Sequence, residues 1–397
     1  MSGPEIDVEA ARRATPGCEE SVFLLSAGSS LPTQQTLDAA VDHLQLESRI
    51  GGYAAADQVR EVLQDCRADL GALVGGQADE VALVPSDSVA WVKAWWGWVL
   101  GGNVRGGSVV LIDRLTYHSH YAALAQTQTI GGFEIREMPS LPDGTVDVSA
   151  LKISAEVSVI CATMIGTHCG NVNPIAEIGA LAAVSDVPLF VDGCQALGQL
   201  ALDVEQLGCH VFTGTGRKFL RAPRGTGMLW VTSSLIGQFQ PFGLDAANAD
   251  WVADDGVLTR PGIGRFEEFE ARYAGLVGLA AAARQALELG MDPVESRVTN
   301  LAEHLRVELA AVAGVTVRDT AARRCGIVTF TLAGVAPTVV VEAAASSGIA
   351  ISSSTATWAA LDMAAKGIDE VVRVSPHYFN TEAELDELLR VVRRLTG

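Results

Sequence analysis

One loop in the middle of the chain combines a lysine with glycines and hydroxyl groups. Lys218 lies within residues 213–227, between two apolar runs that predict short strands. A loop with few carboxylates and several arginines favours loss of the lysine proton, which an amine nucleophile requires. The Thr215 hydroxyl and the N–H groups of such a loop are suited to holding a phosphate. The arginines of the loop are Arg217, Arg221 and Arg224.

These residues favour a lysine that forms a Schiff base with a phosphate-bearing aldehyde, pyridoxal phosphate. The alternative is an ordinary loop lysine, but lysine is scarce here, the others being Lys93, Lys152 and Lys366. Asp192 adds a second argument, because it ends an apolar run that predicts a buried strand. A carboxylate at that end of a parallel strand faces the ligand crevice, where it keeps a pyridine nitrogen protonated.

Five motifs resemble those of class V aminotransferase-type enzymes, which belong to the fold type I pyridoxal phosphate superfamily and include the cysteine desulfurases. They occur in the order of that family and span nearly the whole chain. The motifs are ValAspGlyCysGlnAla at 191–196, ThrGlyArgLys at 215–218, ArgAlaProArgGlyThrGly at 221–227, ArgPheGlu at 265–267 and ArgValSerProHisTyrPheAsnThr at 373–381. The resemblance implies a pyridoxal phosphate enzyme.

Predicted strands alternate with helical stretches through most of the chain. Continuous apolar runs indicate a mostly parallel sheet covered on both faces. They lie at 81–85, 108–113, 133–138, 157–163, 188–192, 209–213 and 227–231. A βαβ-like set follows, with strands near 315–319, 326–331, 348–352 and 370–375. We therefore expect an α/β protein with the fold of the type I transferases, in which a large domain holds a mostly parallel seven-stranded sheet and a small C-terminal α/β domain follows.

The expected boundaries divide the chain into three parts. Residues 1–20 are polar and predict a loose N-terminal arm. Residues 21–294 form the large cofactor-binding domain with a connecting helix, and residues 295–397 form the small domain. The helical pattern from 266 to 313 is interrupted at 290–293, and a capping-box pattern at 381–384 predicts the start of the last helix.

The resemblance assigns further residues to the cofactor. Ser86, Asp87 and Ser88 follow the first strand and open a helix, whose N-terminus suits a phosphate; capping of that helix is the alternative role. Gln195 matches the residue that bonds the phenolic oxygen of the cofactor. Thr167 lies where relatives carry an Asn that contacts the same oxygen.

Other matched positions concern the cofactor ring and the substrate. Tyr117 lies where the family places a ring-stacking His, and a phenol also offers a stacking face. Lys218, Asp192 and Tyr117 are therefore the expected catalytic residues, while His118 competes for the stacking role or contacts the substrate. The resemblance assigns the substrate α-carboxylate to Arg373, since a guanidinium holds a carboxylate bidentately. The loops at Gly28 and Tyr53 are expected to approach the substrate, with simple helix punctuation as the alternative.

The composition restricts the partners of the protein. The net charge of −19 argues against nucleic acid and anionic membranes, and no apolar run approaches the roughly 20 residues that span a bilayer. Seven cysteines without a CxxC pair indicate a reduced, cytoplasmic setting, and we expect no metal ion. The resemblance implies a homodimer with the active site near its interface. Glu270 replaces the Thr that contacts the partner's cofactor phosphate in relatives, which leaves Arg272 as the candidate for that contact.

Tryptophans are concentrated on one predicted helix, which carries Trp91, Trp95, Trp96 and Trp98. At helical spacing they favour a role in a core or an interface. The alternative is that they shape a bulky, apolar substrate pocket.

The expected reaction depends on a segment of the small domain in which cysteine desulfurases carry a nucleophilic cysteine. The matching residues 352–358 contain none, and Cys325 lies on the flank of a predicted strand. A persulfide mechanism is therefore disfavoured.

The chain resembles family members that lack this cysteine. They include the C–S lyases of ergothioneine formation, enzymes that process cysteine S-conjugates in lincosamide antibiotic pathways, and isopenicillin-type epimerases. We expect β-elimination of a cysteine S-conjugate to a thiol, pyruvate and ammonia. Decarboxylation or oxidative deamination to an aldehyde, transamination, epimerisation and a non-catalytic role remain alternatives.

Overall fold

The computed structural model describes residues 5–396 of the chain. Its helices are α1 (Val8–Arg13), α2 (Gln34–Ile50), α3 (Gly52–Gln58), α4 (Arg60–Val74), α5 (Asp87–Leu100), α6 (His118–Gly131), α7 (Ile175–Val184), α8 (Ser233–Ile236), α9 (Tyr273–Leu289), α10 (Met291–Ala310), α11 (Pro337–Ala345), α12 (Ala360–Lys366) and α13 (Glu382–Arg394). Its strands are β1 (Val22–Phe23), β2 (Val81–Val84), β3 (Val109–Ile112), β4 (Glu134–Glu137), β5 (Val157–Thr163), β6 (Leu189–Asp192), β7 (Val211–Thr215), β8 (Gly227–Val231), β9 (Ala249–Val252), β10 (Gly256–Thr259), β11 (Val315–Val317), β12 (Val328–Leu332), β13 (Ile349–Ala350), β14 (Ser352–Thr355) and β15 (Glu370–Val374).

The larger part of the molecule is built on a seven-stranded sheet with the strand order β2-β8-β7-β6-β5-β3-β4. Strands β7, β6, β5, β3 and β4 pair in parallel. Strand β8 is antiparallel to both of its neighbours, β2 and β7. All seven predicted strands are present, and the expectation of a mostly parallel sheet is confirmed.

Helices cover both faces of this sheet, which is why its strands are apolar at successive positions. Along β3, Val109 and Leu111 belong to one core cluster, while Val110 and Ile112 belong to another. The first cluster includes residues of α4, α7 and α9, and the second includes residues of α5 and α6. Three of the four tryptophans of α5 are buried in the second cluster, as expected for core residues; they are Trp91, Trp95 and Trp98.

The C-terminal part holds a four-stranded sheet with the order β11-β12-β15-β14. All three of its strand pairs are antiparallel, so the predicted βαβ-like arrangement is wrong. Apolar runs locate strands but do not encode their direction, which explains the error. The expected capping box is confirmed, because Thr381 and Glu384 bond each other's backbone N–H groups at the start of α13. The proposed domain boundary at 294 falls inside α10.

Residues 5–20 are packed against the C-terminal part, so the prediction of a loose arm is wrong for them. Asp7 caps α1, and Thr15 is fully buried. Arg12 forms an ion pair of 2.8 Å with Glu384. The sequence alone did not predict this packing, because Arg12 pairs with a residue 372 positions away. Residues 1–4 of the predicted arm lie outside the described residues.

Two further features complete the fold. Gly290, with a φ of 78°, separates α9 from α10 at the interruption predicted at 290–293. The antiparallel pair β9–β10 was not predicted, since its residues are mostly exposed and form no apolar run. Among residues 5–396, no helix has both the length and the apolar character that crossing a membrane requires.

Candidate active site

The segments that follow β2, β3, β5, β6 and β7 meet around one pocket at the carboxyl ends of these strands. Such a crevice is the usual ligand site of an open α/β sheet. Its wall consists of Ser86, Asp87, Ser88, Tyr117, Ile165, Thr167, Asp192, Cys194, Gln195, Thr215, Arg217 and Lys218. The structure therefore brings together every residue that the sequence assigned to catalysis or to the cofactor.

One end of the pocket has the character of an anion site. Helix α5 begins there, and the Ser86 hydroxyl caps it by accepting a hydrogen bond of 3.2 Å from Val89 N–H. Ser88 and the buried Thr215 add hydroxyl groups to the same wall. Helix N-terminal N–H groups and hydroxyls together suit a phosphate. The capping role and the pocket role of this segment are thus compatible.

Lys218 is buried, and its Nζ lies 3.0 Å from the Cys194 sulfur. The expected crowding of this amine by arginines is wrong for Arg221, which donates to Leu31 O at 2.8 Å and lies 4.7 Å from the Phe379 ring centroid. Arg221 has a φ of 64°, and this left-handed turn directs its side chain away from the pocket. Arg224 is exposed.

Two carboxylates line the pocket together with Lys218, as the sequence predicted, and one of them is Asp192. Its Oδ1 accepts a hydrogen bond of 2.9 Å from Cys194 N–H, and its Oδ2 lies 3.1 Å from His120 Nδ1. The other ring nitrogen of His120 is 3.0 Å from Asp87 Oδ2. A buried chain therefore runs from Asp87 through His120 to Asp192.

His120 is the residue of this site that sequence reasoning missed. It follows the pocket residue Tyr117 by three positions at the start of α6, and such a spacing places two side chains on one side of a helix. That spacing was the available signal. Burial acts to lower the pKa of His120, but Asp192 and Asp87 outweigh burial and raise the pKa to about 9. Burial likewise acts to raise the pKa of Asp87, and His120 reverses this effect, so that the pKa of Asp87 is lowered.

Arg373 reaches the pocket region from β15 of the small sheet. Its Nη1 donates to Thr167 O at 2.7 Å, while its buried Nε has no partner in the structure. Burial and the charge of Arg217 lower the pKa of Arg373 to about 10. No carboxylate of the described residues pairs with this guanidinium, so an anionic ligand would gain a charge-assisted bond.

The remaining candidate substrate residues differ in whether they lie near the pocket. Gly28 is close to the pocket, since its carbonyl oxygen accepts a hydrogen bond from Arg217. His118 contacts the Trp358 ring, whose plane is parallel to that of Tyr117 at 6.1 Å between centroids. Tyr53 is 83% exposed and lies in a different groove.

Pyridoxal phosphate fits the donors and acceptors of this pocket. Two buried polar atoms in and beside its wall lack a partner, namely Gln195 Oε1 and Arg373 Nε. Buried polar groups are normally satisfied, so these atoms indicate a polar ligand. A phosphate site, a lysine and a carboxylate in one pocket match the groups of this cofactor.

Comparison with known proteins identifies the family. Residues 22–388 match the family model described as aminotransferase class-V, and the chain belongs to that family of pyridoxal phosphate-dependent enzymes. A probable cysteine desulfurase of Xylella fastidiosa is 28% identical, with coverage of 87% of this chain and 83% of that protein. A cysteine desulfurase of Escherichia coli is 26% identical, with coverage of 94% and 93%.

Solved structures establish the fold independently. The apo cysteine desulfurase of Thermococcus onnurineus superposes with a TM-score of 0.90 at 21% identity, covering 100% of this chain and 99% of the other. A cysteine desulfurase of Escherichia coli in an S-sulfonic acid form gives 0.91 at 20% identity, covering 99% of each chain. A C-DES variant with glycine covalently linked to its pyridoxal phosphate gives 0.85 at 19% identity, covering 96% and 98%.

Proposed function

We propose that this protein is a pyridoxal phosphate-dependent C–S lyase that converts a cysteine S-conjugate and water to a thiol, pyruvate and ammonia by β-elimination. The observation that carries this proposal is that residues 352–358, which comprise β14 and the turn that ends at Trp358, contain no thiol. This segment lies beside the pocket, because Trp358 stacks on the pocket residue Tyr117. Cys325 is fully buried, which makes it a poor nucleophile. Elimination releases the sulfur as a free thiol and needs no acceptor cysteine.

Each of several residues in and beside the pocket has a distinct role in such an elimination. When bound, pyridoxal phosphate supplies an electron sink for the electrons released at the substrate Cα. Lys218 Nζ removes the Cα proton, and the bond from Cβ to sulfur breaks as the thiolate leaves. Arg373 holds the α-carboxylate, which fixes the orientation of the Cα–H bond. Asp192 holds the proton of the cofactor's ring nitrogen.

A second candidate function is desulfuration of cysteine through a persulfide on Cys194. Two observations favour it: relatives over most of the chain are called cysteine desulfurases, and the Cys194 sulfur lies in the pocket, 3.0 Å from Lys218 Nζ. Burial raises the pKa of Cys194 far above its ordinary value. Because the thiolate is the nucleophile of thiol chemistry, this environment disfavours the second candidate.

The experiment that tests the proposal offers the purified holoenzyme several S-alkyl and S-aryl cysteine conjugates. We expect free thiol and pyruvate in equal amounts, measured by mass spectrometry, and no product from Lys218→Ala. L-Cysteine is offered in a parallel assay, in which alanine together with a persulfide on Cys194 would favour the second candidate. An aldehyde shortened by the carboxyl carbon, with released carbon dioxide, would instead identify a decarboxylase.

The cofactor attachment is tested separately. After borohydride reduction of the holoenzyme, peptide mapping should place the pyridoxyl group on Lys218. A label on Lys93, Lys152 or Lys366 would remove the basis of the proposed site. Lys93 serves as an internal control, since it is buried and its Nζ already lies 3.3 Å from Glu268 Oε1.

We also propose that the protein acts as a homodimer. An exposed groove near the pocket-forming loops is lined by Leu44, Tyr53, Phe269 and Glu270, and large exposed apolar side chains are typical of interfaces. Light scattering should give twice the chain mass, and Phe269→Glu should shift the protein to monomer. Persistence of a dimer in that variant would place the interface elsewhere.

A further inference from the structure

We propose that His120 is a positioning residue, which fixes the Asp192 carboxylate against the ring nitrogen of the cofactor and thereby keeps that nitrogen protonated. This inference rests on the role proposed for Asp192. It concerns residues on three elements: Asp87 at the start of α5, His120 in α6 and Asp192 at the end of β6.

The two carboxylates favour a proton on both nitrogens of His120. Nε2 is within hydrogen-bonding geometry of Asp87 Oδ2 at 3.0 Å, while Nδ1 lies at ion-pair distance from Asp192 Oδ2, 3.1 Å, without hydrogen-bond alignment. An ionised carboxylate can only accept, so a protonated nitrogen is favoured at each contact. The raised pKa of His120, about 9, agrees with this arrangement. With Cys194 N–H on Asp192 Oδ1, donors contact both carboxylate oxygens, so rotation of the carboxylate would break one of these contacts.

Packing prevents His120 from leaving this position. The imidazole is 1% exposed and stacks on Trp91, with 4.3 Å between centroids and 15° between planes. The edge of the Tyr117 ring closes a further side at 5.6 Å. These aromatic rings belong to α5 and to the residue before α6, and they exclude water from the imidazole.

The charges around His120 account for its effect on the cofactor. Two carboxylates and one imidazolium leave a net charge of about −1, which suits a protonated ring nitrogen. Without the imidazolium, two like charges would share a buried site, and the cheapest relief is protonation of one carboxylate. Further titratable groups face these carboxylates: the charge of Lys218 acts to lower the pKa of Asp87, and Asp192 contributes to raising the pKa of Asp113.

A metal ion is the other possible reason for such a cluster. The ligand atoms of the three side chains lie within 4.8 Å of one another. However, each ring nitrogen faces its own carboxylate, so a chain of charged hydrogen-bonding groups accounts for the arrangement without an ion.

The test replaces His120 and observes the ring nitrogen directly. Wild type and His120→Gln are loaded with pyridoxal phosphate carrying 15N in the ring, and the 15N chemical shift is followed against pH. We expect a protonated nitrogen in the wild type across neutral pH and a shift toward the neutral form in the variant. Because one charge-assisted contact is lost, the Kd for the cofactor should rise about tenfold.

Two further variants make the result decisive. Asp87→Asn keeps His120 but removes one of its partners, so we expect its 15N shift to move in the same direction as that of His120→Gln. This second variant tests the inference if His120→Gln fails to fold. His168→Gln is the matched control, a buried histidine paired with an aspartate outside the pocket, and should leave the shift unchanged. A wild-type 15N shift and Kd in both pocket variants would overturn the inference. Since neither measurement requires turnover, the result is independent of whether the enzyme is a C–S lyase.

Discussion

Two buried histidine–aspartate clusters within residues 5–396 differ in charge and surroundings. In the pocket cluster, His120 lies between Asp87 and Asp192. In the second, which we call the seam cluster, Asp362 accepts from both His168 (2.6 Å) and Lys366 (2.7 Å). The pocket cluster has an excess of negative charge, whereas the seam cluster has an excess of positive charge.

The surroundings explain this difference. The seam cluster joins the loop after β5 to helix α12, and Lys366 also donates to Asp143 O at 2.7 Å, so this cluster connects two parts of the chain outside the pocket wall. In the pocket cluster, Asp87 and Asp192 form part of the pocket wall. A buried ion group that connects distant segments maintains structure, while one that lines a pocket can act on a bound ligand.

The largest expected difference between the clusters concerns turnover of Asp192→Asn. Loss of the charge that holds the ring-nitrogen proton should lower kcat by about 100-fold to 1,000-fold, since preorganised electrostatic groups contribute on this scale. The melting temperature should change little. Steady-state kinetics at saturating cofactor and a thermal melt measure the two effects. Near-normal kcat with stoichiometric cofactor would contradict the role of Asp192.

Asp362→Ala should show the opposite pattern. Removing the carboxylate leaves the charges of His168 and Lys366 uncompensated, and breaking a buried ion pair costs about 3 kcal/mol or more of unfolding free energy. Denaturant unfolding measures this loss, with the exposed Asp255→Asn as control. If kcat falls as far as it does in Asp192→Asn, the division between the two clusters is wrong.

Alkaline pH should weaken the seam cluster. Burial acts to lower the pKa of His168, but Cys169 and Asp362 raise it to about 9, above the ordinary value of 6.5. The contribution of His168 to stability is therefore present below pH 6.5 and is lost as pH rises through about 9. Unfolding free energy measured from pH 6 to 10 should fall less steeply in His168→Gln than in the wild type. Identical slopes would show that His168 is not charged in the folded protein.

The smallest effect on turnover is expected from Cys325→Ala. This thiol is fully buried and does not line the pocket, so substitution should change kcat by no more than about twofold while lowering stability by about 1 kcal/mol. Cys161→Ser and Cys169→Ser, at sites outside the pocket wall, should likewise retain activity. Product analysis with one S-conjugate measures each variant. A cysteine whose loss abolishes turnover but not folding would support persulfide chemistry.

The sequence predicted the site through chemistry that is local to the chain. Lys218, Asp192, Gln195 and Thr215 lie in short motifs that follow apolar strands, and the carboxyl ends of parallel strands meet at one edge of a sheet. The sequence therefore predicted that these residues lie close together. His120 could not be predicted in this way, because its importance depends on two carboxylates that lie 33 and 72 positions from it.

Side-chain direction, strand direction and long-range packing account for the other errors. Arg221 follows Lys218 closely in the sequence, yet a left-handed turn directs it to Leu31 and Phe379. The strand direction in the small sheet and the packing of residues 5–20 were also wrong. Neither follows from apolar periodicity, because both depend on which distant surface the segment meets.

The sequence by itself thus determined the family, the seven-stranded sheet and most of the pocket residues, since these follow from apolar runs, strand-end residues and ordered motifs. Only the tertiary structure decided which charges share a buried site. Electrostatic coupling depends on distance and burial, and both are set by how α5, α6 and β6 pack together. His120 and His168 are both histidines beside an aspartate, and their different surroundings suit one to cofactor chemistry and the other to holding the two parts of the fold together.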